Sequence, residues 1–254
     1  MIYEHFSIYY KLAETYDEVI IVESASDVEN VIRSEGKVGF LLHLEGAEPI
    51  DDPYDLVLLR KLGLRSLGLT WNYENKYACG CSAKKDYGLT ALGEELIKMA
   101  NKLGIIIDLA HASKKTALEA IEVSKKPVII SHTNIRKFVD TPRNVDDEIL
   151  EAIKKNGGVV GLSVIGPLIA KKPKPTLDDL IQHYLYVHET YGADILAIGT
   201  DFMGLLGLPA PEGLESIDSI QTLLQKLKDK GLSDNDLRKI AYENALRVIK
   251  ANLT

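Results

Sequence analysis

The chain has 254 residues, 46% of them hydrophobic and 26% charged, with 30 Lys+Arg against 37 Asp+Glu for a formal charge of −7. This is an ordinary globular composition, and α/β barrels commonly reach about 250 residues as one domain. A net negative charge without a basic block argues against nucleic acid as a partner, and the longest mostly apolar stretch, residues 157–170, is Gly-rich, broken by Pro167 and shorter than the ~18 residues of a membrane span.

The chain opens on MIYEHFSIYYKLAETYDE, a helix-like segment with several acids and no basic stretch ahead of an apolar run. No signal peptide is read there, and the default compartment is the cytoplasm. Val19–Val22 is a short apolar run, either an extra strand or the end of a connection, and stays outside the strand count. Ser26 with Glu29 then predicts a capping box at a helix start. Strands are predicted at Val38–His43 and Ser66–Thr70. Between Ser66–Thr70 and the next helix lie the only cysteines, Cys79 and Cys81, flanking one Gly. They are too close for an unstrained disulfide and too few for a zinc cage, so they read as reduced thiols. Thr90 caps ALGEELIKMANKL, which ends near Gly104 before a strand at Ile105–Leu109. Ser113 caps KKTALEAIEVS, which stops near Pro127 before Val128–Ser131. Strand Val159–Val164 follows, then a helix opened by Thr176 with Asp179 and closed near Gly192, then strand Ile195–Gly199. Ser233 with Asp236 opens the last helix, which has no strand after it. Six strands alternating with helices are the βαβ pattern of a parallel sheet, and the whole of 1–254 reads as a single domain.

Polar residues gather where the strands end: HLEG at 43–46, TWN at 70–72, DLAHAS at 108–113, SHTN at 131–134 and GTDF at 199–202. In a parallel α/β protein these C-terminal ends share one face, and polar groups from five strands point to a barrel active site. His111 and His132 end strands one βα unit apart, and Glu45 ends another. Together they suit zinc or a similar divalent ion in an open site, although any one such His could equally be a satisfied core residue. Asp201 follows an apolar strand and reads either as a proton shuttle or metal-side carboxylate, or as a turn Asp capping the next segment. Asp108 reads as structural, or as a carboxylate standing behind a metal ligand. Arg143, in TPRNVDDE, could grip a carboxylate bidentately, but spacing alone favours a surface ion pair with Asp146, Asp147 or Glu148. Glu119, Glu122, Lys125, Lys126 and the Lys171–Lys174 run read as solvated faces. His183 and His188 are five apart on one helix, not the i,i+4 spacing of a shared metal, and read with His5 as non-ligands.

GKVGFLLHLEGAEPI, LGLRSLGLTWNYEN, GLTALGEELIKMANKLGIIIDLAHAS, PVIISHTNIR, PRNVDDEIL, NGGVVGLSV and GADILAIGTDFMG occur in the order and spacing of the membrane (renal) dipeptidase family, which this chain closely resembles from about residue 5 to the last helix. The resemblance implies a (β/α)8 TIM-type barrel with two zinc ions bridged by a glutamate, acting on short peptides, chiefly dipeptides, with tolerance for D-residues at the C-terminal position. It implies that Glu45 is the bridging glutamate, that His111 and His132 hold the second zinc, that Arg143 binds the substrate carboxylate and that Asp201 carries the proton.

Two departures accompany the resemblance. The family's first strand carries a His-x-Asp pair for the first zinc, and no such pair occurs in this sequence. The best alignment sets Met1 after the family's first two strands, in keeping with six barrel strands where closure takes eight. Three explanations stay open: an upstream start, closure by homodimerisation, or a chain with a different role. Trp71 stands where vertebrate members have a His thought to polarise the carbonyl, and an indole cannot ionise. The expectation is a cytoplasmic metallodipeptidase with one zinc or two. The competing readings are an impaired relative binding one metal or a peptide-like ligand, and an amidohydrolase-like enzyme acting on another amide or ester.

Overall fold

The structure is a computed structural model and describes residues 2–253. These divide into two compact units, Met1–Pro127 with Leu246–Thr254, and Val128–Ala245.

In the first unit the opening segment is helical over Ile2–Thr15. Two short strands, β1 (Val19–Ile21) and β2 (Val38–Phe40), pair in parallel as a small separate sheet. The main-sheet strands of this unit are β3 (Leu42–Leu44), β4 (Leu64–Gly68) and β5 (Ile106–Asp108), paired in parallel in chain order. Every residue of β4 and β5 is buried, as expected of strands covered on both faces. Arg65 is tolerated inside β4 because its guanidinium donates to the carbonyls of Glu23 at 2.6 Å, Arg60 at 2.8 Å and Leu64 at 2.9 Å. Helix Ala91–Leu103 begins at Thr90, whose Oγ1 accepts from Gly93 N at 3.1 Å, and ends at Gly104 with φ 68°. Helix Lys114–Val123 begins at Ser113, whose Oγ accepts from Thr116 N at 3.1 Å.

In the second unit β6 (Ile129–Thr133), β7 (Val159–Leu162) and β8 (Leu196–Ile198) are likewise parallel and in chain order. Helix Asp147–Asn156 is capped by Asp146, and helix Leu177–Tyr191 by the Thr176–Asp179 pair, in which Asp179 Oδ2 accepts from Thr176 N at 2.7 Å. The terminal helical run begins at the Ser233 cap and passes through a π-helical turn at Lys239–Glu243 into Asn244–Asn252. Asn244 Nδ2 donates to Ala193 O at 2.7 Å and Leu196 O at 2.8 Å, fixing the start of β8.

The six parallel main-sheet strands of an α/β fold are those anticipated from the sequence, with one correction. The run Val38–His43 is not one strand: Val38–Phe40 pairs with β1, and the main sheet begins only at Leu42. A continuous apolar run carries no mark where it changes partner. A second correction concerns the first capping box, which is Ser24 with Asp27 rather than Ser26 with Glu29. Asp27 Oδ2 accepts from Ser24 N at 2.8 Å, while Glu29 pairs with Lys250 and with Arg33 at 3.4 Å. The same S-x-x-acid spacing occurs twice, two residues apart, and the earlier pair takes the cap. Glu119 is also no solvated face, since Oε2 accepts from Leu89 N at 2.7 Å and the residue is half-buried.

Candidate metal centre

Two clusters of chemistry-bearing side chains stand at strand ends, one in each unit.

In the first unit Glu45 follows β3 directly, and His111 lies three residues beyond the end of β5. Their facing atoms, His111 Nε2 and Glu45 Oε1, are 3.2 Å apart. Two ligands at about 2.0–2.2 Å from a tetrahedral ion stand about 3.3 Å apart, so this spacing fits joint coordination. His111 is largely buried and has φ 65°, a left-handed conformation uncommon for a non-glycine residue. The backbone there is gripped by the cysteine loop: Cys81 N donates to His111 O at 2.7 Å, and Ser113 N to Cys79 O at 2.9 Å. Both thiols are free, as expected. Around the His111 ring, Nδ1 lies 2.7 Å from Asn72 Oδ1, and the Trp71 indole stacks at 5.7 Å between centroids with planes 30° apart. Trp71 N in turn donates to Glu48 Oε1 at 3.2 Å.

Sequence reasoning passed over His43. Its Nδ1 lies 3.0 Å from Ser66 Oγ and its Nε2 3.6 Å from Asp108 Oδ2. Asp108 is buried, with Oδ1 accepting from Ala110 N at 3.0 Å, so it shapes the turn that leads to His111. The available signal was alternation: His43 and Glu45 are two apart at the end of a strand and share a face.

In the second unit His132 occupies the C-terminal part of β6 and is largely buried. Its Nδ1 lies 2.9 Å from Ser131 Oγ, and its Nε2 lies 3.8 Å from Asp201 Oδ2. Asp201 follows β8 in a left-handed conformation, φ 56°. A Cβ at Gly204 would fall 2.3 Å from both Asp201 carboxylate oxygens, so that position admits no side chain while the carboxylate stays in place. Arg143 sits on the return of a loop closed by Val145 N donating to Asn134 O at 2.9 Å and Arg136 N to Val145 O at 2.8 Å. Its Nη2 donates to His132 O at 3.4 Å, while Asp146 lies 3.9 Å from Arg136. Arg143 is thereby directed toward the end of β6.

His183, expected to be a non-ligand, is fully buried. Nδ1 accepts from Ile135 N at 3.0 Å and Nε2–H donates to Ile169 O at 2.9 Å. Desolvation lowers its pKa to about 4. His188 Nε2 lies 3.3 Å from Asp236 Oδ2, and His5 is exposed on the first helix.

The profile of the membrane dipeptidase family, peptidase family M19, matches residues 2–253. Among curated relatives, an uncharacterized dipeptidase of Schizosaccharomyces pombe is 33% identical over 244 residues, covering 92% of this chain and 58% of its own. Dipeptidase verJ of Clonostachys rogersoniana is 32% identical over 254 residues, covering 97% of this chain and 63% of its own. The chain thus spans about three fifths of the length of these relatives. Among solved structures, an amidohydrolase from Pseudomonas aeruginosa superposes with a TM-score of 0.92 at 28% identity, over 98% of this chain and 84% of its own. A metallo peptidase from Rhodobacter sphaeroides, liganded with a phosphinate mimic of the dipeptide L-Ala-D-Ala, superposes with a TM-score of 0.83 at 24% identity, over 92% and 69%. No helix among the described residues is long and apolar enough to cross a membrane. With the family profile matched almost end to end, this chain belongs to the membrane dipeptidase family, peptidase family M19.

Proposed function

We propose that this chain acts as a zinc-dependent dipeptidase, with residues 1–254 working as one hydrolase domain in the cytoplasm. The observation that carries the reading is the 3.2 Å separation of His111 Nε2 and Glu45 Oε1, the spacing of two ligands on one ion. The donor set proposed from the sequence adds His132 to Glu45 and His111, each able to offer one ligand atom. Two imidazoles and a carboxylate without a thiolate suit zinc in an open, catalytic site. The proposal is for an ion held by these three. A dipeptide substrate is supported by family membership and by relatives named as dipeptidases.

When bound, a zinc ion supplies a Lewis acid for the peptide carbonyl and makes water acidic enough to act near neutral pH. The Arg143 guanidinium, steadied through His132 O, binds the C-terminal carboxylate of the substrate. Asp201 takes a proton at Oδ2 from the attacking water and returns it to the leaving amine. The position of Asp201 after the buried strand β8, partly exposed and beside His132, serves that exchange.

The test is release of free amino acids from a panel of dipeptides, including those with a C-terminal D-residue, by the zinc-supplemented chain. Turnover that is abolished by Asp201→Asn and weakened mainly in KM by Arg143→Met is expected. Inactivity on every dipeptide with turnover of a cyclic amide or lactone would sink the peptidase assignment. Sedimentation of the same sample reads whether a homodimer accompanies activity.

A further inference from the structure

We infer that Asn72 is a positioning residue for His111: its side-chain oxygen holds the proton of that ring on Nδ1, so that Nε2 is presented bare to an ion. The inference rests on the reading of His111 as a ligand and adds to it the group that makes it one.

An imidazole coordinates through the nitrogen that lacks a proton, and the hydrogen bond made by the other nitrogen decides which that is. In His111 the two nitrogens face different partners: Nδ1 lies 2.7 Å from Asn72 Oδ1, and Nε2 lies 3.2 Å from Glu45 Oε1. An amide oxygen only accepts, so a bond this short to Oδ1 places the proton on Nδ1. The orientation of the amide is supported by a second donor. The Cys81 thiol donates toward the same Oδ1 at 3.5 Å, whereas a flipped amide would turn its NH2 toward that thiol.

Both partners are fixed by one loop. Cys81 N donates to His111 O at 2.7 Å and Ser82 N to Asn72 O at 2.7 Å, so consecutive amides hold the two backbones at a set distance. Gly80 presses against the same segment: a Cβ there would fall 2.3 Å from Trp71 O and 2.4 Å from Asn72 C. Trp71 covers one face of the His111 ring. A half-turn of the imidazole would exchange Nδ1 for a carbon and forfeit the 2.7 Å bond. The cysteine loop, which carries no ligand in the proposed site, thereby becomes the clamp that sets the ligand's tautomer.

The probe is zinc alone, titrated into the metal-free full chain against a competing chelator. Asn72→Leu, similar in size but without an acceptor, is expected to weaken zinc about ten- to a hundredfold. Asn72→Asp, which restores an acceptor, is expected to bind within about threefold of the parent or tighter. Two-bond proton–nitrogen spectra of the zinc-loaded parent and of Asn72→Asp should show His111 protonated at Nδ1. Should Asn72→Leu fail to fold, Asn72→Ala supplies the acceptor-free variant. The inference is overturned if acceptor-free variants keep parental affinity while His111→Ala loses zinc, which leaves His111 a ligand without this support. Equal weakening by Asn72→Leu and Asn72→Asp, or a proton found on Nε2, overturns it as well. Parental zinc affinity in His111→Ala removes the ligand reading itself, and the inference with it.

Discussion

His183 makes the stability of the second unit depend on acid in a calculable way. The ring is fully buried and both nitrogens are used in the neutral form, Nδ1 accepting from Ile135 N and Nε2–H donating to Ile169 O. Desolvation pulls its pKa from 6.5 to about 4, against smaller upward effects of the Ile169 carbonyl and of Asp179. The unfolded chain therefore binds a proton that the folded chain refuses between about pH 6.5 and pH 4. Stability is unaffected by this group above pH 6.5, falls as pH drops through that window, and levels off below it. At ~1.36 kcal/mol per pH unit the loss amounts to about 3 kcal/mol, a large share of an ordinary domain's 5–15 kcal/mol. The assay is urea unfolding at a series of pH values for the parent and for His183→Gln, which keeps an acceptor and a donor but cannot titrate. The variant is expected to be less stable at pH 8 and to close that gap by about 3 kcal/mol on reaching pH 4, because other titrating groups are common to both chains. A parent-to-variant gap that stays constant with pH would refute the reasoning. Since Ile135 opens the loop that returns through Arg143, amide exchange at Ile135 should quicken over the same range.

Two further outcomes follow from local geometry. Gly204→Ala places a methyl group 2.3 Å from both Asp201 carboxylate oxygens, so dipeptide turnover should fall at least about tenfold while urea unfolding shifts by less than about 1 kcal/mol. Ser113→Ala removes a cap at Thr116 N and a 2.6 Å bond to Asp86, and should cost about 1–2 kcal/mol in unfolding free energy.

What was legible in the sequence was whatever physical chemistry writes locally. Thr90, Ser113, Thr176 and Ser233 cap helices because a short polar side chain ahead of an amphipathic stretch is a direct record of unsatisfied amides. The main-sheet strands were readable because parallel strands are apolar on both faces. Long-range choices left less trace. Nothing in Val38–His43 marks the point at which the chain leaves one sheet for another, and nothing in S-x-x-D against S-x-x-E says which cap is used. In the site, Glu45, His111, His132 and Asp201 stood out as polar residues ending apolar runs. Asn72 and His43 end apolar runs too, but their roles are set by what lies across the sheet, His111 for one and Asp108 for the other, and pairings of that kind are written by tertiary structure. Glu119 shows the same limit from the other side: helical spacing assigns it to solvent, and a loop thirty residues earlier folds onto it.

Backbone strain separates the site from its surroundings. Among the described residues three non-glycines have positive φ, and two of them, His111 and Asp201, are proposed to bind metal and to carry a proton. An L-residue held in this conformation costs about 1–2 kcal/mol, and glycine occupies it without that cost. After β5 the chain must turn back toward the helix that starts at Lys114, and the turn is enforced by Asp108 Oδ1 on Ala110 N and by Ala112 N donating to Leu109 O at 3.1 Å. A glycine would relieve the turn, and its absence means that an imidazole is worth the strain there. The consequence is a comparison of two substitutions that remove the same ring. His111→Gly and His111→Ala should lose zinc equally, yet in the metal-free state His111→Gly should be more stable than His111→Ala by about 1 kcal/mol, the reverse of their order in a helix or strand. Equal stability of the two, or Ala the more stable, would mean that the turn relaxes once the ring is gone, and that the left-handed conformation is imposed by the imidazole's own contacts with Asn72 and Trp71 rather than by the turn.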